Sequence, residues 1–237
     1  MLTHLSKLPD VIVDSRPFKE NGRIYWQDIP EFSFWFSECA LNVHAIHDID
    51  LGNCPLTWQE QAQQYKAANS FAALYLTVLT PSITCEWKSM QCIARDTLIQ
   101  SLEVEFATYA QIRRAGIYIP AAAQGILHSA PLIWDFCKRK DLYSGNMEWR
   151  EWVGGSDGSK ALWKGEDGFS VERWMFWKER FGIAAGLKRR GFAGRVVDDV
   201  VMCAREAGKV MHAVEQEDAF ALDGLLDMFD SDEILNP

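Results

Sequence analysis

Gly168-Phe169-Ser170-Val171-Glu172-Arg173-Trp174-Met175-Phe176-Trp177-Lys178-Glu179-Arg180-Phe181 carries five large rings, four of them, Trp174, Phe176, Trp177 and Phe181, within eight positions. Ser170 is a helix-capping residue, Glu172 falls in the first turn, and Lys188-Arg189-Arg190 falls in the last turn before Gly191. That polarity matches the helix dipole, with acid at the start and base at the end. The stretch therefore predicts a helix from Ser170 to Gly191 that delivers indole and phenyl rings to a core. With 13 Phe, 10 Trp and 6 Tyr in 237 residues, aromatic burial is the theme of the whole chain.

Further helices are legible on both sides. Asp28-Ile29-Pro30-Glu31 spells a capping box, and Phe32, Trp35, Phe36, Cys39, Ala40, Val43 and Ile46 follow at helical spacing. Thr57-Trp58-Gln59-Glu60 is a second capping box. Its helix turns apolar nearly all round from Phe71 to Leu79, as if entering the centre of the fold, and Pro81 stops it. Ile83, Trp87, Met90, Ala94, Leu98 and Leu102 make the next stripe, reaching to Phe106. Pro120 can start another helix through Ala121-Ala122-Ala123 to Cys137, with Pro131 as a kink or restart. Residues 138–167 form a Gly-rich connector whose Trp149, Trp152 and Trp163 fold it back onto the body. Val196, Val200, Ala204, Ala207, Met211 and Val214 mark a final long helix, and no period-2 run exceeds Val11-Ile12-Val13. The expected fold is all-α: a single globular bundle of six or seven helices with a Trp-rich core over residues 28–214. An irregular segment, 1–27, precedes it and an acidic amphipathic tail, 215–237, follows.

Charge is unevenly placed. Residues 215–237 hold eight acids and no Lys or Arg, and removing those eight from the net −9 leaves −1 for the rest. Lys188-Arg189-Arg190 is a single basic cluster, too small to track phosphates, so nucleic acid is not expected as a partner. No apolar run approaches the roughly 20 residues of a membrane span, and no secretory leader precedes the six scattered cysteines. They read as reduced core thiols of a soluble, cytoplasmic chain, with a nuclear location as the lesser alternative.

Familiar catalytic patterns fail on context. Gly154-Gly155-Ser156-Asp157-Gly158 spells the nucleophile elbow, followed in order by Asp198 and His212, but the elbow needs a preceding strand. Asp198 and His212 also share one predicted helix, about 21 Å apart at 1.5 Å per residue. A phosphate loop is excluded because Ser159 and Ala161 stand where Gly and Ser or Thr are required. No cofactor is implied.

Five groups remain as candidate sites. His44, His47 and Asp48 sit at metal-ligand spacing on a helix, and the His-Asp pair resembles that of the HD-domain phosphohydrolases. An earlier His on a helix is missing, and His47 falls on the apolar stripe, where a core histidine is the plainer reading. Asn69, with Tyr65 one turn earlier, is either a ligand contact or a core amide fixing helix register. Arg173, Trp174 and Trp177 can build a cation–π box for a small ligand; alternatively Arg173, Lys178, Glu179 and Arg180 are a solvated face. Glu86, Arg95 and Glu103 are polar groups that a pocket between helices would use. The tail sets Leu222, Leu225, Leu226 and Phe229 at i, i+3, i+4, i+7 with acids on the other side, the pattern of a segment that folds into a partner's groove. Docking of that segment on the protein's own core is the competing expectation.

Trp26-Gln27-Asp28-Ile29-Pro30, Trp58 with Asn69-Ser70-Phe71-Ala72-Ala73-Leu74, Ala121-Ala122-Ala123 and the Gly168–Phe181 motif resemble, in this order, an ascomycete family of all-helical proteins that is a domain of unknown function. The likeness covers roughly residues 26 to 215 and its most specific element is the last. It implies a fungal intracellular helical protein and carries no catalytic residues. The expected function is a protein-interaction or ligand-binding module without catalysis, with a protein partner held by the acidic tail. The alternatives are a small-molecule enzyme of fungal secondary metabolism and an HD-like metal-dependent phosphohydrolase.

Overall fold

A computed structural model describes residues 12–13, 15–17, 19–20, 23–24, 36, 57–78, 84–142, 162–187 and 194–231. For 84–89, 194–195 and 221–231 the description is of helical backbone alone. The described residues hold five helices rather than six or seven: α1 Trp58–Val78, α2 Thr84–Leu102, α3 Tyr109–Arg139, α4 Val171–Ala185 and α5 Gly194–Ser231. The protein is all-α apart from two small antiparallel hairpins. In the first, β1 Ile12–Val13 pairs with β2 Arg16–Pro17, and in the second β3 Lys19–Glu20 pairs with β4 Arg23–Ile24. These strands fall within a stretch that reads as irregular, and Ser15, between β1 and β2, has φ 62°. Of the stripe expected from residue 32 to 47, only Phe36 lies within the described residues; it is helical and packs on Phe71 with ring centroids 5.2 Å apart.

Local chemistry starts the helices. Thr57 and Glu60 form the expected box before α1, with Thr57 N–H donating to the Glu60 carboxylate at 2.8 Å. Ser170 Oγ accepts from Arg173 N at 3.1 Å before α4. The start of α3 differs from expectation. A Thr108-x-x-Gln111 box caps it eleven residues before Pro120, because Gln111 accepts from Thr108 N at 3.0 Å and Thr108 accepts from Gln111 N at 3.2 Å. Pro120 and Pro131 both lie inside α3. The helix survives them as one element with a kink at Ser129 (φ −136°, ψ 19°), just ahead of Pro131, which cannot donate back to the previous turn. One kinked helix where a restart was open lowers the helix count.

The main core cluster is shared by all five helices, with Trp174, Trp177, Phe136, Phe181, Leu76 and Met90 among its largest fully buried side chains, and a smaller cluster of Tyr65, Ile117, Tyr118 and Ala121 joins α1 to α3. The apolar end of α1 does not enter the centre as expected. Ala72, Ala73 and Leu76 are buried, but Leu74 and Val78 are about half exposed, so the helix keeps one outer face to its last turn. Contacts fix directions. Tyr65 meets Tyr118 and Ser70 Oγ donates to Gln124 further along, so α1 and α3 run parallel. Gly116 meets Val196 and Lys138 meets Asp218, so α3 and α5 run parallel as well.

Two glycines are required by close approach. A Cβ on Gly116 would overlap Val196 Cγ1 and stand 2.8 Å from the Trp58 ring. Gly168 has φ +93° and a Cβ there would lie 2.8 Å from the Asp141 carbonyl oxygen. Gly168→Ala therefore combines left-handed strain with a backbone clash and is expected to cost about 1–3 kcal/mol; urea unfolding of the two forms checks it, and an unchanged midpoint would contradict the geometry.

Candidate functional site

The most polar part of the interior lies where α2 ends. Glu103 follows the last residue of α2 and is 2% exposed, and Arg173, in the first turn of α4, is 3% exposed. Arg173 binds the Glu103 carboxylate with two nitrogens, Nε to Oε1 at 2.7 Å and Nη2 to Oε2 at 3.0 Å. Trp177 Nε1 donates to the same Oε1 at 2.9 Å, and Arg173 Nη1 donates to the Gly168 carbonyl at 2.8 Å. The guanidinium also stands 5.4 Å from the Trp177 ring and 5.7 Å from the Trp163 ring. A bidentate, aromatic-walled pair of this kind meets the burial cost of both charges with hydrogen bonds.

Two turns further along α4, Arg180 donates Nε to the Leu102 carbonyl at 2.8 Å and Nη2 to the Val104 carbonyl, and lies over the Phe106 ring at 4.5 Å. These are acceptors at the C-terminal end of α2, where a cation complements the dipole. Burial holds the Arg180 guanidinium below its ordinary value. The solvated-face reading of this stretch is therefore corrected for Arg173 and Arg180, which are buried, and holds for the exposed Glu179; Lys178 is half-buried. The reason is an i, i+7 spacing that puts both arginines on the inner face.

A second polar group joins α1, α2 and α3. Thr97 Oγ1 donates to Asn69 Oδ1 at 2.7 Å, Asn69 Nδ2 donates to the Tyr65 carbonyl at 3.0 Å, and Ser101 Oγ donates to the Tyr118 carbonyl at 2.8 Å. Burial, and then the neighbouring Tyr118, push the Tyr65 hydroxyl well above its usual value. Arg95 binds the adjacent Asp96 at 2.9 Å; burial raises the Asp96 carboxyl, while Arg95 and Arg173 pull it down. Arg114, 5.1 Å over the Tyr118 ring, has a buried Nε without a hydrogen-bond partner, as does the indole nitrogen of Trp58.

A third arrangement fastens α5. Trp174 Nε1 donates to Glu215 at 2.7 Å and Lys178 Nζ binds the same carboxylate. Trp134 Nε1 donates to Asp218 at 3.1 Å and Lys138 Nζ binds it at 2.6 Å. Lys138 and Trp134 hold the Asp218 carboxyl below its ordinary value.

Of the six ligand candidates, the structure joins Tyr65 with Asn69 and Arg173 with Trp177, puts Arg95 against Asp96, and turns Trp174 toward Glu215. His44, His47 and Asp48 lie outside the described residues, as do the Gly154–Gly158 loop and the side chains of Glu86, Leu222, Leu225, Leu226 and Phe229. Among the described residues no group of three or more His, Cys, Asp or Glu is placed to hold a metal. Asp198 and His212 are on α5, too far apart for a triad. Cys137 is a free, buried thiol that burial pushes up to about 12, and Cys203 is likewise free and buried. Among the described residues no helix is long and apolar enough to cross a membrane. The role of Glu103 had no local signal, since its partner is 70 residues away.

Fold and site together define an all-α bundle closed over a buried Arg–Glu pair. The chain belongs to the family described as proteins of unknown function, DUF3632, whose model matches residues 1–181. That range contains Glu103, Arg173, Trp177 and Arg180 and ends before α5. No curated protein and no solved structure matches the chain.

Glu103→Gln leaves the Arg173 charge buried without its counter-ion and is expected to cost about 3–5 kcal/mol. Combining it with Arg173→Met should recover part of that loss; a double variant whose loss in urea unfolding equals the sum of the two single losses would show that the pair is not coupled.

Proposed function

We propose that this chain is an interaction module without catalysis of its own, and that the acidic segment 215–237 holds its protein partner. The observation that carries the reading is the length of α5. Lys138, next to the last residue of α3, stands at Asp218, and Trp174, in the first turn of α4, stands at Glu215. The backbone of α5 continues as helix to Ser231, about 20 Å past Asp218 at 1.5 Å per residue. Over that stretch the sequence places Leu222, Leu225, Leu226 and Phe229 on one side, with Asp223, Asp227 and Asp230 between them. Val200, Ala204, Ala207, Met211 and Val214 are buried on α5 at alternating three- and four-residue spacing, and Leu225 stands two heptads after Met211 on the same line. A helix that carries its apolar register past the ends of its neighbours suits recognition of the helix-in-groove kind.

A second reading, a small ligand between α1 and α3, is favoured by the two buried donors without acceptors, Trp58 Nε1 and Arg114 Nε. A molecule with acceptor oxygens and a flat face would satisfy them beside Tyr65 and Tyr118.

Native mass spectrometry of gently purified protein separates the two. Full-length chain is compared with chain cut after Ala219, which keeps Glu215 and Asp218, and with Leu225→Asp/Leu226→Asp. The expected result is a co-purifying protein on the full-length form alone. A small-molecule mass retained by all three forms would overturn the tail reading in favour of the second.

A further inference from the structure

Glu215 and Asp218 meet two copies of the same device. Trp174 and Lys178 are one turn apart on α4 and close on Glu215; Trp134 and Lys138 are one turn apart on α3 and close on Asp218. Each carboxylate thus receives an indole N–H and an ammonium from one helix face, and the two indoles touch, with ring centroids 5.3 Å apart. Residues 215 and 218 are themselves one turn apart, so the two clamps grip a single face of α5, ahead of the stretch of helix that runs on to Ser231. The groups are half-open to water: Lys178 is 25% and Glu215 20% exposed, Lys138 38% and Asp218 28%. Asp135 is the other acid on Lys138, at 3.0 Å. An ion pair at such exposure is sensitive to salt and to loss of either charge, whereas the apolar seam from Val197 to Val214 is not.

We infer that the two tryptophan–lysine clamps are an ionic latch, which holds the end of α5 in line with the bundle when closed and frees residues 219–231 when opened. The latch controls how the segment assigned to a partner is presented, and its importance for binding rests on that assignment. Within the bundle α5 stays packed in either state, because Val200, Ala204, Ala207 and Met211 remain buried. Anything that neutralises Lys138 and Lys178, or competes for the two carboxylates, opens it.

Amide hydrogen exchange on the full chain tests the latch, comparing wild type with Lys138→Gln/Lys178→Gln and with Glu215→Gln/Asp218→Asn. Both double variants are expected to speed exchange over 219–231 by about tenfold or more while leaving 197–211 unchanged, and wild type in about 0.5 M NaCl should move the same way. Equal exchange over 219–231 in all three proteins would overturn the latch. A rise spread evenly along α5 would overturn it too, since it reports a general loss of stability. Retention by both variants of a partner lost on truncation after Ala219, with exchange unchanged, would remove the latch and leave the binding reading standing.

Discussion

A carboxylate taken out of water at the end of a helix has to be matched by a cation inside the same fold, and this bundle is arranged around that requirement. Glu103 and Arg173 are both almost fully buried, and the two-pronged contact between them admits one register of α4 against the end of α2. Trp177 adds its indole N–H to the same oxygen, so the second turn of α4 is fixed by the same carboxylate. Arg180 then takes up the carbonyls of Leu102 and Val104. One helix therefore satisfies both the side-chain charge and the exposed backbone acceptors at the end of another. The rings of the same run, Trp174, Trp177 and Phe181, enter the core as a consequence of that seating.

The polar seam between α1, α2 and α3 has the same logic on a smaller scale. Asn69, Thr97 and Ser101 set the three helices against one another through hydrogen bonds that a purely apolar interface would lack. The remaining helix, α5, is held differently, by an apolar stripe from Val197 to Val214 and by half-open ion pairs at Glu215 and Asp218. The family match ends at Phe181, so the segment proposed to meet a partner lies outside the part that defines the family.

Much of the local structure was legible because it is written in short-range chemistry. The Thr57 and Ser170 caps, the α1 stripe and the long last helix all follow from residues within one or two turns of each other. The start of α3 was missed because Pro120 is a strong local signal for a helix start, while the Thr108-Gln111 box lies further upstream. The outer face of Leu74 and Val78 was missed because an all-round apolar pattern does not say which side has a neighbour. For the candidate site, Arg173 and Trp177 were legible as a cation beside rings and Glu103 as a polar group suited to a pocket, yet nothing paired the one with the other. An ion pair 70 residues apart leaves no periodicity in either segment.

Composition and spacing by themselves determined an all-α fold, the helix caps and the acidic character of the last 23 residues, because helix-forming patterns act within a turn and charge simply adds up. Tertiary structure decided which charges go inside. Whether an arginine in an aromatic run faces water or a buried carboxylate depends on what the neighbouring helices bring to it. Here the end of α2 brought Glu103, and the sequence around Arg173 holds no trace of that encounter.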